Sequence, residues 1–393
     1  MPDGDPVSLS QALIRCPSIT PIDAGALDVL QDYLENVGFT VHRKVFEEGG
    51  TDPVDNLYAR IGPGGADARN LCFAGHTDVV PPGDENAWTH PPFAAEIADG
   101  MLYGRGASDM KCAVAAFAVA AGHYVERIGK DNLPGAISML ITGDEEGVSI
   151  NGTRKALPWI ADMGETLSAC LVGEPTNPGR MGELGGMVKI GRRGSLNGVL
   201  TVTGVQGHAA YPERADNPVP HLVRLLSALI EQPLDDGTEH FQPSTLTLTS
   251  VDVGNPATNV IPRQAKAMFN VRFNDRFTSE TLEALVRARL DAVDVSFDLA
   301  IRVSGESFLS APGPLSEIVC NAVEAETGDR PELSTTGGTS DARFIKDYCP
   351  VCEFGMYSDT AHKIDEHVPL DDIERITRIY ETVIERFLLA EST

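Results

Sequence analysis

The chain has 393 residues, too many for one ordinary hydrophobic core, and its 42% hydrophobic and 22% charged residues exclude a disordered or fibrous protein. A net charge of −26 and a pI near 4.6 argue against nucleic acid and against an anionic membrane as partners. No run is long and apolar enough for a membrane span, and the acidic start Met1-Pro2-Asp3-Gly4-Asp5-Pro6 has no apolar leader core, so the expected location is the cytoplasm.

Residues 8–15 and 24–37 carry apolar spacing near 3.6 and are expected to be helices. Apolar strands are then expected at 54–61, 70–75, 136–142, 168–173 and 350–356, with a long Ala- and Val-rich helix over 110–128. Alternating strands and helices imply an α/β domain with a largely parallel sheet. Residues 195–304 change character: a strand at 195–204, a helix at 217–232, strands at 244–253 and 264–273, a helix at 278–293, a strand at 295–304. That order, β-α-β-β-α-β, is that of a ferredoxin-like unit. It reads as an insertion, because the α/β pattern resumes near 307. The expected domains are therefore 1–193 and 307–393 for the α/β part and 194–306 for the insert. Seven scattered cysteines do not make a disulfide framework. Cys349-Pro350-Val351-Cys352 reads as two buried thiols rather than a zinc knuckle, there being no second pair.

Four of the expected strands run into polar, acidic residues. The 70–75 strand leads to His76 and Asp78, and the 136–142 strand to Asp144-Glu145-Glu146. The 168–173 strand leads to Glu174, and the 350–356 strand to the stretch from Asp359 through His362 to Glu366. In an open parallel sheet, strand C-termini share the edge where ligands bind. Carboxylates gathered there would repel one another and raise each other's pKa, and a divalent cation removes that penalty. His76, Asp109, Glu146, Glu174 and His362 are a nitrogen/oxygen donor set suited to zinc, or to cobalt or manganese, with one carboxylate free to bridge two ions. Glu145 and Glu146 are adjacent, so one can bind an ion while the other acts as general base. In extended backbone His76 and Asp78 point the same way, which lets Asp78 fix the His76 ring.

The motifs Gly75-His76-Thr77-Asp78-Val79-Val80-Pro81, Tyr103-Gly104-Arg105-Gly106-Ala107-Ser108-Asp109-Met110-Lys111, Asp144-Glu145-Glu146-Gly147, Gly173-Glu174-Pro175-Thr176 and His362-Lys363-Ile364-Asp365-Glu366 resemble those of the dinuclear-zinc aminoacylase and glutamate-carboxypeptidase family. The resemblance covers nearly the whole chain. It implies that His76 and Glu174 bind one zinc, that Glu146 and His362 bind the other, and that Asp109 bridges them. Asp78 would orient His76, and Glu145 would be the general base. His367 stays outside the set, since the pattern of His, three residues, then Glu fits His362 with Glu366. A departure is Cys112, where the family usually has glycine after the lysine.

The resemblance further implies a homodimer through the insert, with His208 reaching the partner subunit's site to support an oxyanion. Arg192, Asn259 and Arg272 match residues that hold substrate carboxylates, a role that suits the planar guanidinium. Gly338, Thr339 and Ser340 match a loop on the far end of the substrate. The implied reaction is hydrolysis of the succinyl amide of N-succinyl-LL-2,6-diaminopimelate, giving succinate and LL-2,6-diaminopimelate. The alternatives are acetylornithine or another N-acyl amino acid as substrate, a dipeptide or carboxypeptidase substrate, and a dimeric binding protein without activity.

Overall fold

The computed structural model describes residues 4–65, 68–178 and 184–390. The chain divides into two units. The first runs through Ile190 and resumes with Ser310–Ser334 and from Ser340 onward; the second is Gly191–Leu309 with Thr335–Thr339. Thr335–Thr339 thus groups with the second unit although it lies in the 307–393 stretch.

The first unit is built on an eight-stranded sheet. In spatial order its strands are Thr40–Phe46, Val54–Ile61, Ala136–Thr142, Asn70–His76, Ala169–Val172, Val351–Glu353, Met187–Lys189 and Glu332–Ser334. The four strands from Ala136–Thr142 to Val351–Glu353 are mutually parallel. Their C-termini therefore share one edge, and these are the four strands whose sequences run into His76, Glu145, Glu174 and His362. Val54–Ile61 pairs antiparallel with Ala136–Thr142, and Thr40–Phe46 antiparallel with Val54–Ile61. Every residue of Ala136–Thr142 and Ala169–Val172 is buried, the continuous apolar run expected of strands covered on both faces.

The helix Cys112–Ile128 is buried without interruption from Cys112 to Ala121. Its many alanines leave the backbone free to lie close to its neighbours. It packs against Leu370–Leu389. Phe73 of the central strand stacks on Phe117 at 4.5 Å, and Tyr380 meets both rings edge-on at 5.6 Å. Each such ring contributes about 1.5–3 kcal/mol by burial and ~1 kcal/mol more by ring contact. The Tyr380 hydroxyl, which is fully buried, donates to the Phe354 carbonyl at 2.7 Å. This cluster fixes the strand that carries His76.

The second unit has a four-stranded antiparallel sheet in the order Thr245–Asp252, Gln264–Phe273, Gly194–Thr203, Asp298–Gly305. Helices Pro218–Ile230 and Ser279–Asp291 complete the β-α-β-β-α-β order. Gln264–Phe273 alternates exposed and buried residues, as a sheet covered on one face must. Leu200, Leu225, Phe269, Val271 and Val286 belong to its core. Among the described residues no helix is long and apolar enough to cross a membrane.

Candidate metal centre

The His76 strand pairs with Ala169–Val172 so that Cys72 faces Cys170 and Ala74 faces Val172. The same offset carried onward puts Glu174 level with His76. On the other side His76 faces Thr142, two residues before Asp144. Strand register thus delivers His76, Glu145 and Glu174 to one place. Gly75 and Gly173 leave room for Met110, whose methyl group would collide with a Cβ at either position. Met110 follows Asp109, so the two glycines let the Asp109 segment close over the strand ends.

His76 Nδ1 bonds the Asp78 carbonyl at 2.9 Å, while the nearer Asp78 carboxylate oxygen is 3.5 Å away. The Asp78 carboxylate instead accepts the N–H of Glu145 at 3.3 Å and of Glu146 at 3.0 Å. Asp78 therefore holds two things at once: its carbonyl orients the ring, and its carboxylate fixes the acidic turn. Asp144 shapes the rest of that turn, accepting from the N–H groups of Val148, Ile150 and Asn151.

His76 Nε2 lies 3.2 Å from Asp109 Oδ1 and 3.7 Å from Glu174 Oε1. His362 Nε2 lies 3.3 Å from Asp109 Oδ2 and 2.7 Å from Glu146 Oε1. Asp109 thus stands between the two histidines, one oxygen toward each. Among the described residues, two three-residue groups have donor atoms within 4.8 Å of one another: His76, Asp109 and Glu146, and His76, Glu145 and Glu174. Glu145 therefore also stands at ligand distance. His367 lies apart: its Nδ1 bonds the Asp365 carbonyl at 2.7 Å and its ring sits 4.9 Å from that of Tyr103.

The charge balance tests whether a cation fits. Hydrogen bonds that the His362 imidazole donates to Asp109 and Glu146 push its pKa up to about 10. Burial would lower His76, but its bond to Asp109 and the surrounding carboxylates outweigh this and raise it well above the ordinary value. Burial likewise opposes ionisation of Asp109, yet its bonds from His362 and His76 hold it well below the usual carboxylate range. Glu145 is pushed well up, by burial first and then by the negative charge of Glu174. The cluster thus favours positive charge, which the upward shifts of both histidines reflect. Two imidazoles and four carboxylates around a shared Asp109 suit two divalent ions. The residues present fit such a centre.

The remaining expected site residues lie in the second unit, except Ser340. Arg192 is buried, and its Nη1 donates to the Gly338 carbonyl at 3.4 Å. Arg272 sits on the strand Gln264–Phe273 beside Ser195. Arg193, given no role by the sequence reading, is lowered by burial and by the Arg272 charge, and its buried Nε has no hydrogen-bond partner among the described residues. His208 is exposed; its Nδ1 accepts the Ala210 N–H at 3.1 Å. A neutral ring accepting there carries its proton on Nε2, a donor facing outward. The Asn259 carbonyl accepts the Ala209 N–H at 2.9 Å, tying Asn259 to the His208 segment. Thr339 follows Gly338 at the end of this unit. Ser340, in the first unit, is buried and donates to Glu353 at 2.5 Å.

A family model described as peptidase family M20/M25/M40 matches residues 72–386. The chain belongs to this family. Among M20 relatives, a succinyl-diaminopimelate desuccinylase of Rhodospirillum centenum is 60% identical over 383 residues, covering 98% of this chain and 97% of the relative. An M20 family metallo-carboxypeptidase from Sulfolobus solfataricus superposes with a TM-score of 0.76 at 16% identity, over 99% of this chain and 100% of that one. A Bacillus subtilis M20 peptidase described as dinuclear and metal-binding superposes with a TM-score of 0.66 at 15% identity, over 96% of each chain. At such identities the structural matches speak for the fold. The fold class expected from sequence agrees with them: an M20 α/β domain with a mostly parallel sheet and a separate antiparallel unit.

The sequence reading gives Arg105 no role and uses Glu366 only to mark the spacing from His362. Arg105 and Glu366 form a fully buried ion pair at 2.6 Å directly behind Asp109 and His362. At Arg105 the available signal was a charged residue placed among glycines and small residues.

Proposed function

We propose that this M20 member hydrolyses the succinyl amide of N-succinyl-LL-2,6-diaminopimelate, with two zinc ions, giving succinate and LL-2,6-diaminopimelate. The observation that carries the reading is the 60% identity, nearly end to end, with a relative named succinyl-diaminopimelate desuccinylase. The two half-sites joined at Asp109 support the same chemistry.

In this reading His76 and Glu174 hold one ion, His362 and Glu146 hold the other, and Asp109 bridges them. The ions supply Lewis acidity toward the amide carbonyl and the attacking water. Glu145 takes one proton from that water as its oxygen forms the new bond to the succinyl carbonyl carbon. The C–N bond then breaks, and Glu145 delivers the proton to the leaving amine nitrogen. Its environment, which raises its affinity for a proton, suits both steps. Asp78 keeps the acidic turn and the His76 ring in place throughout. The Nε2–H of the partner subunit's His208 stabilises the charge that develops on the carbonyl oxygen, so the working form is a homodimer joined through the insert at 194–306. Arg192, Arg272 and Asn259 hold the substrate carboxylates, and Gly338, Thr339 and Ser340 line the diaminopimelate end. These groups form a local cationic patch in a protein of net charge −26.

The test is a substrate panel on zinc-loaded protein. Succinyl-diaminopimelate is expected to exceed acetylornithine, simple N-acyl amino acids and dipeptides in kcat/KM by at least about a hundredfold, or ~2.7 kcal/mol of transition-state discrimination. A higher value for any other member of the panel refutes the substrate assignment while leaving the two-ion chemistry standing.

A further inference from the structure

We propose that the buried Arg105–Glu366 pair is a positioning clamp for one half of the metal centre, setting the affinity of the His362 ion and leaving that of the His76 ion largely alone. The inference rests on the two-ion reading above and names residues that reading does not use.

Glu366 is fully buried and Arg105 is 2% exposed. A charged pair so deep persists only where hydrogen bonds occupy both partners. Here the bonds lead to the metal-site backbone on both sides. One Glu366 oxygen accepts the N–H of Ser108 at 2.9 Å and of Asp109 at 3.2 Å, and the other accepts Arg105 Nη1 at 2.6 Å. Arg105 also donates to the Lys363 carbonyl at 3.2 Å and the His362 carbonyl at 3.4 Å. The N–H of Gly104 reaches back to the Glu366 carbonyl at 2.9 Å. The Trp88 ring lies over the guanidinium at 5.1 Å. Glu366 thus grips the peptide that carries Asp109, while Arg105 grips the peptide that carries His362. Neither side chain reaches the donor cluster itself.

The two halves of the centre differ in how much they need this. His76 sits at the end of a central strand, 1% exposed, with its ring held by Asp78. His362 sits in a loop, its side chain 48% exposed, at a backbone φ of +62°. A residue with a Cβ adopts that conformation only when its surroundings impose it. The clamp is what holds it here, and it holds Asp109 in the same grip. Partners behind a ligand typically alter metal affinity by about 10- to 100-fold. The clamp touches the His362 loop directly and the His76 strand end not at all, so the effect should fall mainly on the His362 ion, with the shared Asp109 passing a smaller part to the other.

Metal-free protein would be titrated with Co(II), followed by calorimetry and by visible absorption. The parent protein is expected to take up two equivalents. In Glu366→Gln and Arg105→Met the first equivalent should bind within about threefold of the parent, and the second at least about tenfold more weakly. Arg105→Lys keeps the charge beside Glu366 but cannot span both carbonyls, so it should show an intermediate loss of the second equivalent. It also serves if the other variants do not fold, since a bound first equivalent with its absorption band reports an intact site. Two equivalents bound as tightly as in the parent overturn the clamp, and so does a parallel loss of both in a folded variant. A parent protein that takes up fewer than two equivalents instead refutes the two-ion reading.

Discussion

Metal loading should expel protons, and the number follows from the electrostatics of the cluster. Without ions, His362 titrates near 10 and is protonated at pH 8, and His76 is shifted upward from its ordinary value despite its burial. An imidazole must lose its proton to offer a lone pair to a metal. Binding two ions therefore releases protons at pH 8, the one on His362 among them because that ring titrates near 10. The sign is fixed by mass action. Protons compete with the ions, so affinity rises with pH, and it does so until His362 titrates near 10. Each displaced proton contributes about a tenfold change per pH unit, so the product of the two binding constants should rise at least about tenfold per unit between pH 7 and pH 9. Competition calorimetry with a zinc chelator, repeated in buffers of different ionisation enthalpy, gives both the affinity and the proton count. Release of fewer than one proton at pH 8, or an affinity flat from pH 7 to pH 9, would refute the reasoning.

Replacing Glu145 with alanine should leave both ions bound and lower kcat by about 10²- to 10⁴-fold; loss of an ion, measured by elemental analysis, would make Glu145 a ligand rather than the base. His208→Ala should lower kcat with metal content intact, and mixing it with Glu145→Ala subunits should restore part of the activity, whereas verified mixed dimers that stay inactive count against a site shared between subunits. Asp372, buried with neither carboxylate oxygen bonded among the described residues, is pushed up to about 6 by burial. A raised carboxyl costs the folded state nothing below about pH 4 and progressively more through pH 6; the full shift corresponds to ~3 kcal/mol, and solvent screening reduces it to roughly 1–2. Asp372→Asn should accordingly raise the apparent Tm at pH 7.5 more than at pH 4.5, and an equal gain at both would exclude burial of the charge as the cause.

The centre was legible because four buried apolar strands each ran into acidic residues, and parallel pairing puts such ends on one edge. The insert was legible because its strands alternate, as Gln264–Phe273 does. Met187–Lys189 and Glu332–Ser334 were not, since three residues are too few to show a period. Thr40–Phe46 was missed for another reason: it is an outer strand rich in polar residues, with no buried position to mark it. The helices Pro314–Thr327 and Leu370–Leu389 went unread although the second is amphipathic along its length, its buried residues recurring from Ile373 to Leu388. At the site, the i, i+2 spacing brought His76 and Asp78 together but could not distinguish a carbonyl partner from a carboxylate. That distinction depends on the turn at 144–147, whose N–H groups occupy the Asp78 carboxylate.

The chain leaves the first unit at Ile190 and returns to it at Ser310, and the N–H of Ser310 bonds the carbonyl of Ile190 at 2.7 Å. Beyond this bond Gly191 and Arg192 pair with Leu309 and Phe308. The ends of the 191–309 segment therefore meet, while Thr335–Thr339 groups with the same unit from further along the chain. Such an arrangement makes the insert a cassette: a short turn joining residue 190 to residue 310 would close the gap without redirecting either strand. The same geometry lets one scaffold accept segments of different size and surface there while leaving the sheet edge that carries His76 and Glu174 untouched.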